Sequence, residues 1–267
     1  MKINFIIPTL GNREFELRRV LKTLVTQVLI EDIEIEAIII NQGRDLSLII
    51  DEFGKSNIAI SCHKVNFKGL SKARNYAFQF CKGDVIVLAD DDCWYPQDAV
   101  SKIINTHIKY PHELIAFKIY DKLNNIPYKK YKKEMFDHSW FTLFTISSIE
   151  ITFKRSILES GLAFNEKFGL GAEHPSGEEL IFCKRVLEGG AKMRYIPEIV
   201  AYHEKKEDPK LLKLGGGELF YELFHYNSIW IYLIFLIKQL AKNVINPFQV
   251  LYRYIDLLKI LKQKTLS

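Results

Sequence analysis

The sequence predicts an α/β fold in which a mostly parallel sheet is covered by helices on both faces. Short runs rich in β-branched residues alternate with segments of helical periodicity through the first half of the chain. Such alternation requires crossover connections, which join parallel strands. Runs such as AIII and VIVL are continuously apolar, as expected of strands that are buried on both faces. The 267 residues, 48% of them hydrophobic, suffice for a substantial core.

The elements follow in order along the chain. The first predicted helix covers residues 14–29, and its buried side carries Leu17, Leu21, Leu24 and Val28. Predicted strands cover residues 3–7, 36–40, 58–63 and 85–88, and further helices cover 46–53 and 71–80. The second half has apolar segments at 114–119 and 148–153, a glycine-rich stretch at 168–177 and a helix at 178–187. We expect it to add mixed strands and a lid.

Composition limits the classes of protein that the chain can represent. The net charge is +5, and the basic residues are spread along the chain, which suits an anionic small ligand or a lipid surface better than a nucleic acid. The N-terminal segment has no small-residue cleavage pattern, so we expect a cytoplasmic protein without a secretory signal. The cysteines form no CxxC pair, which argues against a zinc site and a disulfide framework. They are Cys62, Cys81, Cys93 and Cys183.

The C-terminal region, residues 206–267, differs in character from the rest. Its apolar run IWIYLIFLI is too short to cross a bilayer, which takes about 20 residues. Beyond Phe248, apolar residues at helical spacing lie opposite polar ones, and basic residues outnumber the lone Asp256. This pattern is typical of helices on an anionic membrane surface. We therefore predict a helical, membrane-associating region.

Three adjacent aspartates, Asp90, Asp91 and Asp92, follow the predicted strand at 85–88. In open α/β sheets, ligands bind beyond the carboxyl ends of the strands. Such a concentration of negative charge needs compensation, and Mn²⁺ or Mg²⁺ prefers carboxylate oxygens while leaving positions open for phosphate. Asp90 and Asp92 are thus candidates for holding a diphosphate through a metal. The alternative is a solvated acidic turn that caps a helix beginning near Pro96.

These aspartates close the stretch GLSKARNYAFQFCKGDVIVLADDDCWYP, which resembles glycosyltransferase family 2, the inverting enzymes of the GT-A fold. The family pattern has five parts, and their counterparts here are IIPT, NQG, GLSKARN, ADDDCWYP and GEELIFCKR. The resemblance covers roughly residues 1–205. It implies a GT-A domain with a nucleotide-binding part at about 1–110 and an acceptor-binding part at about 111–205.

The resemblance implies roles on the donor side of the site. Asp90 would bind the donor ribose with Asp91 close by, and Asp92 would bind the metal that bridges the diphosphate. Asn41 stands where many relatives carry an aspartate that faces the base, so the identity of the base stays open. Other residues expected near the nucleotide or its phosphates are Pro8, Thr9, Leu10, Lys72 and Arg74. For the last two, the alternative is a pair of solvated helix residues.

On the acceptor side, Glu178 and Glu179 fall where the family has a Glu-Asp pair. The second member of that pair is typically the base that deprotonates the acceptor hydroxyl, so we expect Glu179 to be the base, with Glu178 as the alternative. Inversion requires a base opposite the leaving diphosphate. A different explanation is a helix N-terminus enriched in acidic residues for dipole reasons alone.

Small residues and histidines complete the candidates. Gly169, Gly171 and Ala172 would let the backbone approach the donor sugar or the acceptor, unless they form an ordinary flexible loop. His203 aligns with a histidine that joins the metal or the diphosphate in some relatives, and His174 is a second candidate. Either histidine could instead be structural.

The resemblance implies an inverting transferase that moves a hexose or N-acetylhexosamine from a nucleotide diphosphate sugar, expected to be UDP-linked, to a glycan hydroxyl. With the C-terminal region it implies a lipid-linked oligosaccharide acceptor in bacterial surface polysaccharide synthesis, and an enzyme peripheral to the inner face of the plasma membrane. One alternative is a metal-dependent nucleotidyltransferase, although residues 10–13 contain only one glycine. Another is a noncatalytic membrane-associated module that binds nucleotide sugars.

Overall fold

The structure is a computed structural model that describes residues 1–28, 32–205 and 222. The predicted membrane-associating region, residues 206–267, therefore lies outside the described residues except for Glu222. Among the described residues, no helix has the length and apolar content that a bilayer crossing requires.

Nine strands form one mixed sheet in the described part of the chain. They are β1 (Lys2–Thr9), β2 (Glu34–Asn41), β3 (Ala59–Lys64), β4 (Val85–Leu88), β5 (Leu114–Asp121), β6 (Ile126–Pro127), β7 (Phe136–Asp137), β8 (Ile151–Lys154) and β9 (Met193–Tyr202). Their spatial order is β3-β2-β1-β4-β8-β5-β9-β7, with β6 paired to β5.

Helices connect the strands and cover the sheet. The α-helices are α1 (Glu14–Val25), α2 (Ser47–Phe53), α3 (Leu70–Phe78), α4 (Ala99–Lys109), α5 (Ser156–Glu159) and α6 (Glu178–Glu188). Short 3-10 helices cover Trp140–Thr145 and Ser148–Glu150.

The strand directions bring most strand ends to one edge of the sheet. Strands β1 to β4 are mutually parallel, as predicted from their alternation with helices. Strand β8 runs antiparallel to both β4 and β5, so β5 has the direction of β4, and β9 is parallel to β5. The carboxyl ends of β1, β2, β4, β5 and β9 therefore lie along the same edge, where a ligand site is expected.

Two apolar layers bury the sheet because its strands are apolar on both faces. The alternate residues Phe5 and Ile7 of β1 pack against α1, α2 and α4. Ile6 faces the opposite layer, which α3, α5 and α6 complete. The N-cap residue of helix α4 is Asp98, and its side chain forms no capping hydrogen bond. Asp90, Asp91 and Asp92 precede this position by several residues and therefore do not cap the helix.

One sequence prediction needs correction, and one strand was not predicted. The first helix ends at Val25, and Val28 is 64% exposed, so that valine does not belong to the buried side. Strand β9, which has ten residues, has no counterpart among the predicted elements. Pro197 and Glu198 interrupt its apolar pattern, and its register with β5 shifts beyond Ala116, so periodicity alone did not indicate its length.

Candidate active site

A cleft of about 280 Å³ opens at the edge where the strands end. Its walls come from the turn after β1, the segment after β4 and the start of α3, with the loop before α6 on one side. The residues that line it are Pro8, Thr9, Leu10, Asn12, Arg13, Gln42, Lys68, Gly69, Leu70, Asp90, Asp91, Asp92, Leu170, Gly171 and His203. The cleft therefore lies where a ligand site was expected from the sequence, beyond the carboxyl ends of the strands.

Asp91 joins the segment after β4 to the turn after β1. Thr9 Oγ1 donates a hydrogen bond of 2.6 Å to Asp91 Oδ2, and Arg13 Nη1 donates one of 3.1 Å to Oδ1. Burial raises the pKa of the Asp91 carboxyl above its ordinary value, although the Thr9 hydrogen bond and the Arg13 charge oppose this shift. Asp91 therefore links two segments that line the cleft, the one after β4 and the turn after β1.

Asp92 lies between an arginine and a histidine. Arg13 Nη1 donates to Asp92 Oδ2 at 2.6 Å, and His203 Nε2 lies 3.0 Å from Asp92 Oδ1. A backbone bridge makes this contact possible, because Trp94 and Tyr202 exchange hydrogen bonds of 3.0 and 2.7 Å and so fix the end of β9 beside the aspartates. His203 is the next residue after that bridge.

The donor atoms of Asp90, Asp92 and His203 suit a divalent cation. One donor atom from each lies within 4.8 Å of the others. His203 Nδ1 lies 2.7 Å from the Glu204 carbonyl oxygen, an acceptor, so Nδ1 carries the proton and Nε2 faces the carboxylates. Burial lowers the pKa of His203, but the hydrogen bond and charge of Asp92 outweigh it and raise the pKa overall. A cation at this point would replace the contact between Nε2 and Asp92.

Arg74 connects the aspartates with the acidic pair at the start of α6. Its guanidinium is fully buried and donates to Asp90 Oδ1 at 3.2 Å and to Glu178 Oε1 at 3.5 Å. The sequence suggested a phosphate neighbour, but the Arg74 side chain does not line the cleft. Its partners are instead the two carboxylates, which compensate the cost of burying the guanidinium charge.

Glu179 is the second residue of α6 and follows Glu178 directly. Desolvation raises the pKa of Glu179 well above its usual range, and the negative charge of Glu178 raises it further, against a smaller lowering by Arg74. A carboxyl group with such a pKa can take up a proton near neutral pH. Glu179 itself does not line the cleft.

The loop before α6 folds against the start of α3 and forms one wall of the cleft. Leu70 N donates to the Leu170 carbonyl at 2.9 Å, which joins the two segments. Gly169 adopts φ +105°, and a Cβ there would lie 2.9 Å from Ser71 Oγ and 3.3 Å from Glu178 Cδ. Gly171 lines the cleft with φ +81°. These two positions therefore require glycine.

The lining of the cleft also lacks four other sequence candidates, which are Asn41, Lys72, Ala172 and His174. Asn41 is buried in its own turn, where it donates to the Arg44 carbonyl at 2.7 Å and accepts from Gly43 N at 2.9 Å. Lys72 Nζ lies 4.8 Å from the centre of the Phe67 ring, and Ala172 donates to the Gly169 carbonyl. His174 stacks on Phe168 and takes no part in the cluster of Asp90, Asp92 and His203.

Two basic residues of the cleft, Arg13 and the exposed Lys68, were not predicted from the sequence. Both lie between a strand and the following helix, so their position beyond a strand end could have indicated them. Gln42, in the NQG motif, does line the cleft and accepts a hydrogen bond of 2.8 Å from Gly69 N.

A Rossmann-like mixed sheet with a carboxylate and histidine cluster at the carboxyl ends of its strands defines the GT-A class of fold. Residues 5–168 match the family Glycosyl transferase family 2. This match spans more than half of the chain, so the protein belongs to glycosyltransferase family 2, and the resemblance found in the sequence is confirmed.

Solved structures support the same fold. TarS from S. aureus, residues 1–349 in complex with UDP-GlcNAc, is similar with a TM-score of 0.66 at 16% identity. The complex of the same TarS fragment with UDP gives 0.65 at 17%. The alignment with the UDP complex covers 84% of this chain but only 63% of that one.

A third similar structure is the mannosyltransferase PcManGT from Pyrobaculum calidifontis in complex with GDP-Man and Mn²⁺, with a TM-score of 0.57 and 14% identity. That alignment covers 78% of this chain and 58% of the mannosyltransferase chain. No curated protein sequence matches the chain significantly.

Proposed function

We propose that the protein transfers a hexose or N-acetylhexosamine, with inversion, from a UDP-linked sugar to a glycan hydroxyl. The observation that carries this proposal is the cluster of Asp90, Asp92 and His203 donor atoms at the mouth of a cleft whose other walls suit a nucleotide. TarS, which is similar in fold, was solved with UDP-GlcNAc, and this supports the choice of a UDP-linked donor.

The donor would occupy the cleft with its nucleotide against the turn after β1, along Pro8, Thr9 and Leu10. Arg13 and Lys68 would face the diphosphate, because positive charge offsets the anionic ligand. Asp90, Asp92 and His203 would hold Mn²⁺ or Mg²⁺. When bound, the ion supplies positive charge that stabilises the departing diphosphate. Arg13 now neutralises part of this acidic cluster.

Glu179 would act as the general base on the acceptor hydroxyl. Its raised pKa suits proton uptake near neutral pH, whereas Glu178 is committed to Arg74 at 3.5 Å. Because Arg74 also pairs with Asp90, the same guanidinium would hold Glu178 and Glu179 in a fixed position relative to the donor site. Arg74 would thus be a positioning residue.

The acceptor would be a lipid-linked oligosaccharide of a bacterial surface polysaccharide. The enzyme would then lie at the cytoplasmic face of the membrane, held by residues 206–267. Support for this part comes from the basic, amphipathic sequence of that region, which lies outside the described residues.

The experiment that tests the proposal pairs a donor titration with a sugar-transfer assay on Glu179→Gln and Glu178→Gln. We expect Glu179→Gln to reduce transfer about a hundred-fold or more while metal-dependent UDP-sugar binding stays near that of the wild type. Glu178→Gln should retain measurable transfer. If Glu178→Gln alone abolishes transfer, the base is Glu178. If neither change slows transfer, the acidic pair only begins a helix and the proposed mechanism is wrong.

A further inference from the structure

A second cavity, of about 300 Å³, lies on the face of the sheet that α6 covers. Strands β5 and β9 form its floor at Ala116 and Tyr195, and the 3-10 helix Trp140–Thr145 forms one wall. None of the residues that line it lines the cleft. It is therefore a separate concave site.

One wall of this cavity contains a buried ionic network in which the charged groups already have partners. Lys129 Nζ lies 2.8 Å from the buried carboxylate of Glu150, to which Tyr131 donates at 2.5 Å. Ser147 N donates to the same carboxylate at 2.9 Å. Lys129 also donates to Ser147 Oγ and to the Thr145 carbonyl. Such a fully bonded network fixes the shape of the wall.

Positive charge remains at the rim after this pairing. Lys130 and Lys132 both line the cavity, are exposed and form no ion pair within the described residues. Lys132 Nζ lies 4.6 Å from the centre of the Phe136 ring. The cavity therefore combines a basic rim with aromatic walls.

The aromatic side chains suit the flat face of a sugar ring. Phe136 and Tyr195 lie with ring centres 5.0 Å apart, and Phe141 is 77% exposed beside them in the same lining. Concave sites lined by aromatic rings with a few polar groups are typical of ligand binding. A ligand that covers this phenylalanine would remove apolar surface from water.

A buried histidine in the lining lacks one hydrogen bond. His138 is only 8% exposed, and its Nε2 has no partner among the described residues. Its Nδ1 lies 3.0 Å from Thr142 Oγ1, and that hydroxyl donates to the Ser139 carbonyl, so Nδ1 carries the proton. Burial lowers the pKa of His138 to about 4, which keeps Nε2 an acceptor. A ligand hydroxyl would supply the missing donor.

One wall of the cavity contacts α6, the helix whose first turn carries the proposed base. Lys184 Nζ of this helix lies 5.5 Å from the centre of the Trp140 ring, in the 3-10 helix that forms the wall. A molecule in this cavity would therefore lie against an element that packs on the helix of Glu179.

We propose that this cavity binds the acceptor glycan, and that this glycan is anionic, with phosphate or carboxylate groups that pair with Lys130 and Lys132. The inference rests on the proposed sugar transfer and adds the chemical class of the acceptor. Phe141 packs on a sugar ring, and His138 Nε2 accepts a hydrogen bond from a sugar hydroxyl.

The test is a calorimetric titration of the full chain with three short oligomers of similar length: glycerol phosphate, galacturonic acid and neutral galactose. The variants are the double change Lys130→Ala, Lys132→Ala and the matched control Lys133→Ala, an exposed lysine of the same segment outside the cavity lining. We expect the wild type and the control to bind one anionic oligomer at least ten-fold more tightly than the galactose oligomer. The double variant should lose about ten-fold in that affinity, and Phe141→Ala should also weaken it.

The two anionic oligomers distinguish phosphate from carboxylate as the source of the charge. Equal affinities for charged and neutral oligomers, no binding of any oligomer, or an unchanged affinity in the double variant would each overturn the inference. A parallel titration with UDP and Mn²⁺ separates this failure from a failure of the proposed function. Wild-type protein that binds UDP but does not discriminate between the oligomers contradicts only the acceptor site.

Discussion

Arg74 is the residue on which the two halves of the candidate site depend. It is fully buried and pairs with Asp90 after β4 and with Glu178 at the start of α6, 104 positions further along the chain. A buried guanidinium is stable only while it is paired, and each of its partners benefits in the same way. Its position in the Ala-Arg-Asn helix motif indicated a functional role, but it did not indicate that Arg74 pairs with two carboxylates of the protein rather than with the ligand.

We predict that Arg74→Met lowers the free energy of unfolding by about 3 kcal/mol, because it leaves the buried Glu178 carboxylate without a counter-charge. Arg74→Lys, which keeps the charge, should recover part of the loss. Urea denaturation of both variants at neutral pH measures the effect. Equal stability of Arg74→Met and the wild type would show that the pair does not stabilise the fold.

The raised pKa of Glu179 predicts a pH dependence of transfer. A base must be deprotonated to act, so kcat/KM should rise as the pH increases through the raised pKa of Glu179 and level off above it. In Glu178→Gln the charge of the neighbouring carboxyl is gone, so the rising limb should move to lower pH. It should not reach the range of an ordinary glutamate, because desolvation remains. Identical pH profiles for the two proteins would contradict this origin of the shift.

At the residue scale, the sequence indicated some contacts and missed others for physical reasons. The adjacency of Asp90 and Asp92 to a buried strand was sufficient to locate the acidic cluster. Asn41 lies at the end of a strand, as predicted. Its side-chain amide forms hydrogen bonds within the turn that follows instead of facing the cleft, and a family pattern does not show such local hydrogen bonding. Arg13 was missed, although it lies in the turn that follows β1.

At the scale of elements, the loop before α6 determines how the acidic pair meets α3. Gly169 allows a close approach of this loop to Ser71, whose hydroxyl donates to the Phe168 carbonyl at 2.5 Å. The glycine-rich stretch was predicted as a region of close backbone approach, and its glycines at 169 and 171 do adopt positive φ. Contact with the donor sugar or the acceptor stays a prediction.

Gly169→Ala should therefore cost more stability than the same change at Gly161. Both glycines have positive φ, so both changes carry a backbone strain of about 1–2 kcal/mol. A Cβ at Gly161 meets nothing within 4 Å, whereas one at Gly169 meets Ser71 and Glu178. We expect thermal unfolding to show the larger loss for Gly169→Ala, with reduced transfer only in that variant. Equal losses at the two positions would mean that the loop relaxes without disturbing Glu178.

The length and placement of β9 explain why the sequence left the role of His203 open. The strand pairs with β5 in a parallel arrangement and ends at the bridge between Trp94 and Tyr202, which sets His203 beside Asp92. Pairing between strands so distant in sequence has no local signal. The regular β1 to β4 unit, by contrast, was predictable because β1, β2 and β4 are apolar runs that alternate with helical segments.

At the scale of the whole molecule, the structure has two separate concave sites that share no lining residue. The cleft faces the aspartates, and the second cavity faces Glu150 and the lysine-rich segment before the 3-10 helices. The proposed division into a nucleotide-binding part and an acceptor-binding part is compatible with this arrangement, although one sheet runs through both. The second cavity had no sequence signal, because residues 122–148 lack strand or helix periodicity.

The central claim is that a divalent ion at Asp90, Asp92 and His203 holds the diphosphate of the donor. The measurement that tests it most directly is a titration of UDP with and without Mn²⁺ on the wild type, Asp92→Asn and the control Asp98→Asn. Asp98 lies outside the cleft and pairs with Lys102. We expect Mn²⁺ to tighten UDP binding at least ten-fold in the wild type and in the control, but not in Asp92→Asn. UDP binding that is equally tight in EDTA, or that keeps its response to Mn²⁺ in Asp92→Asn, would contradict the account.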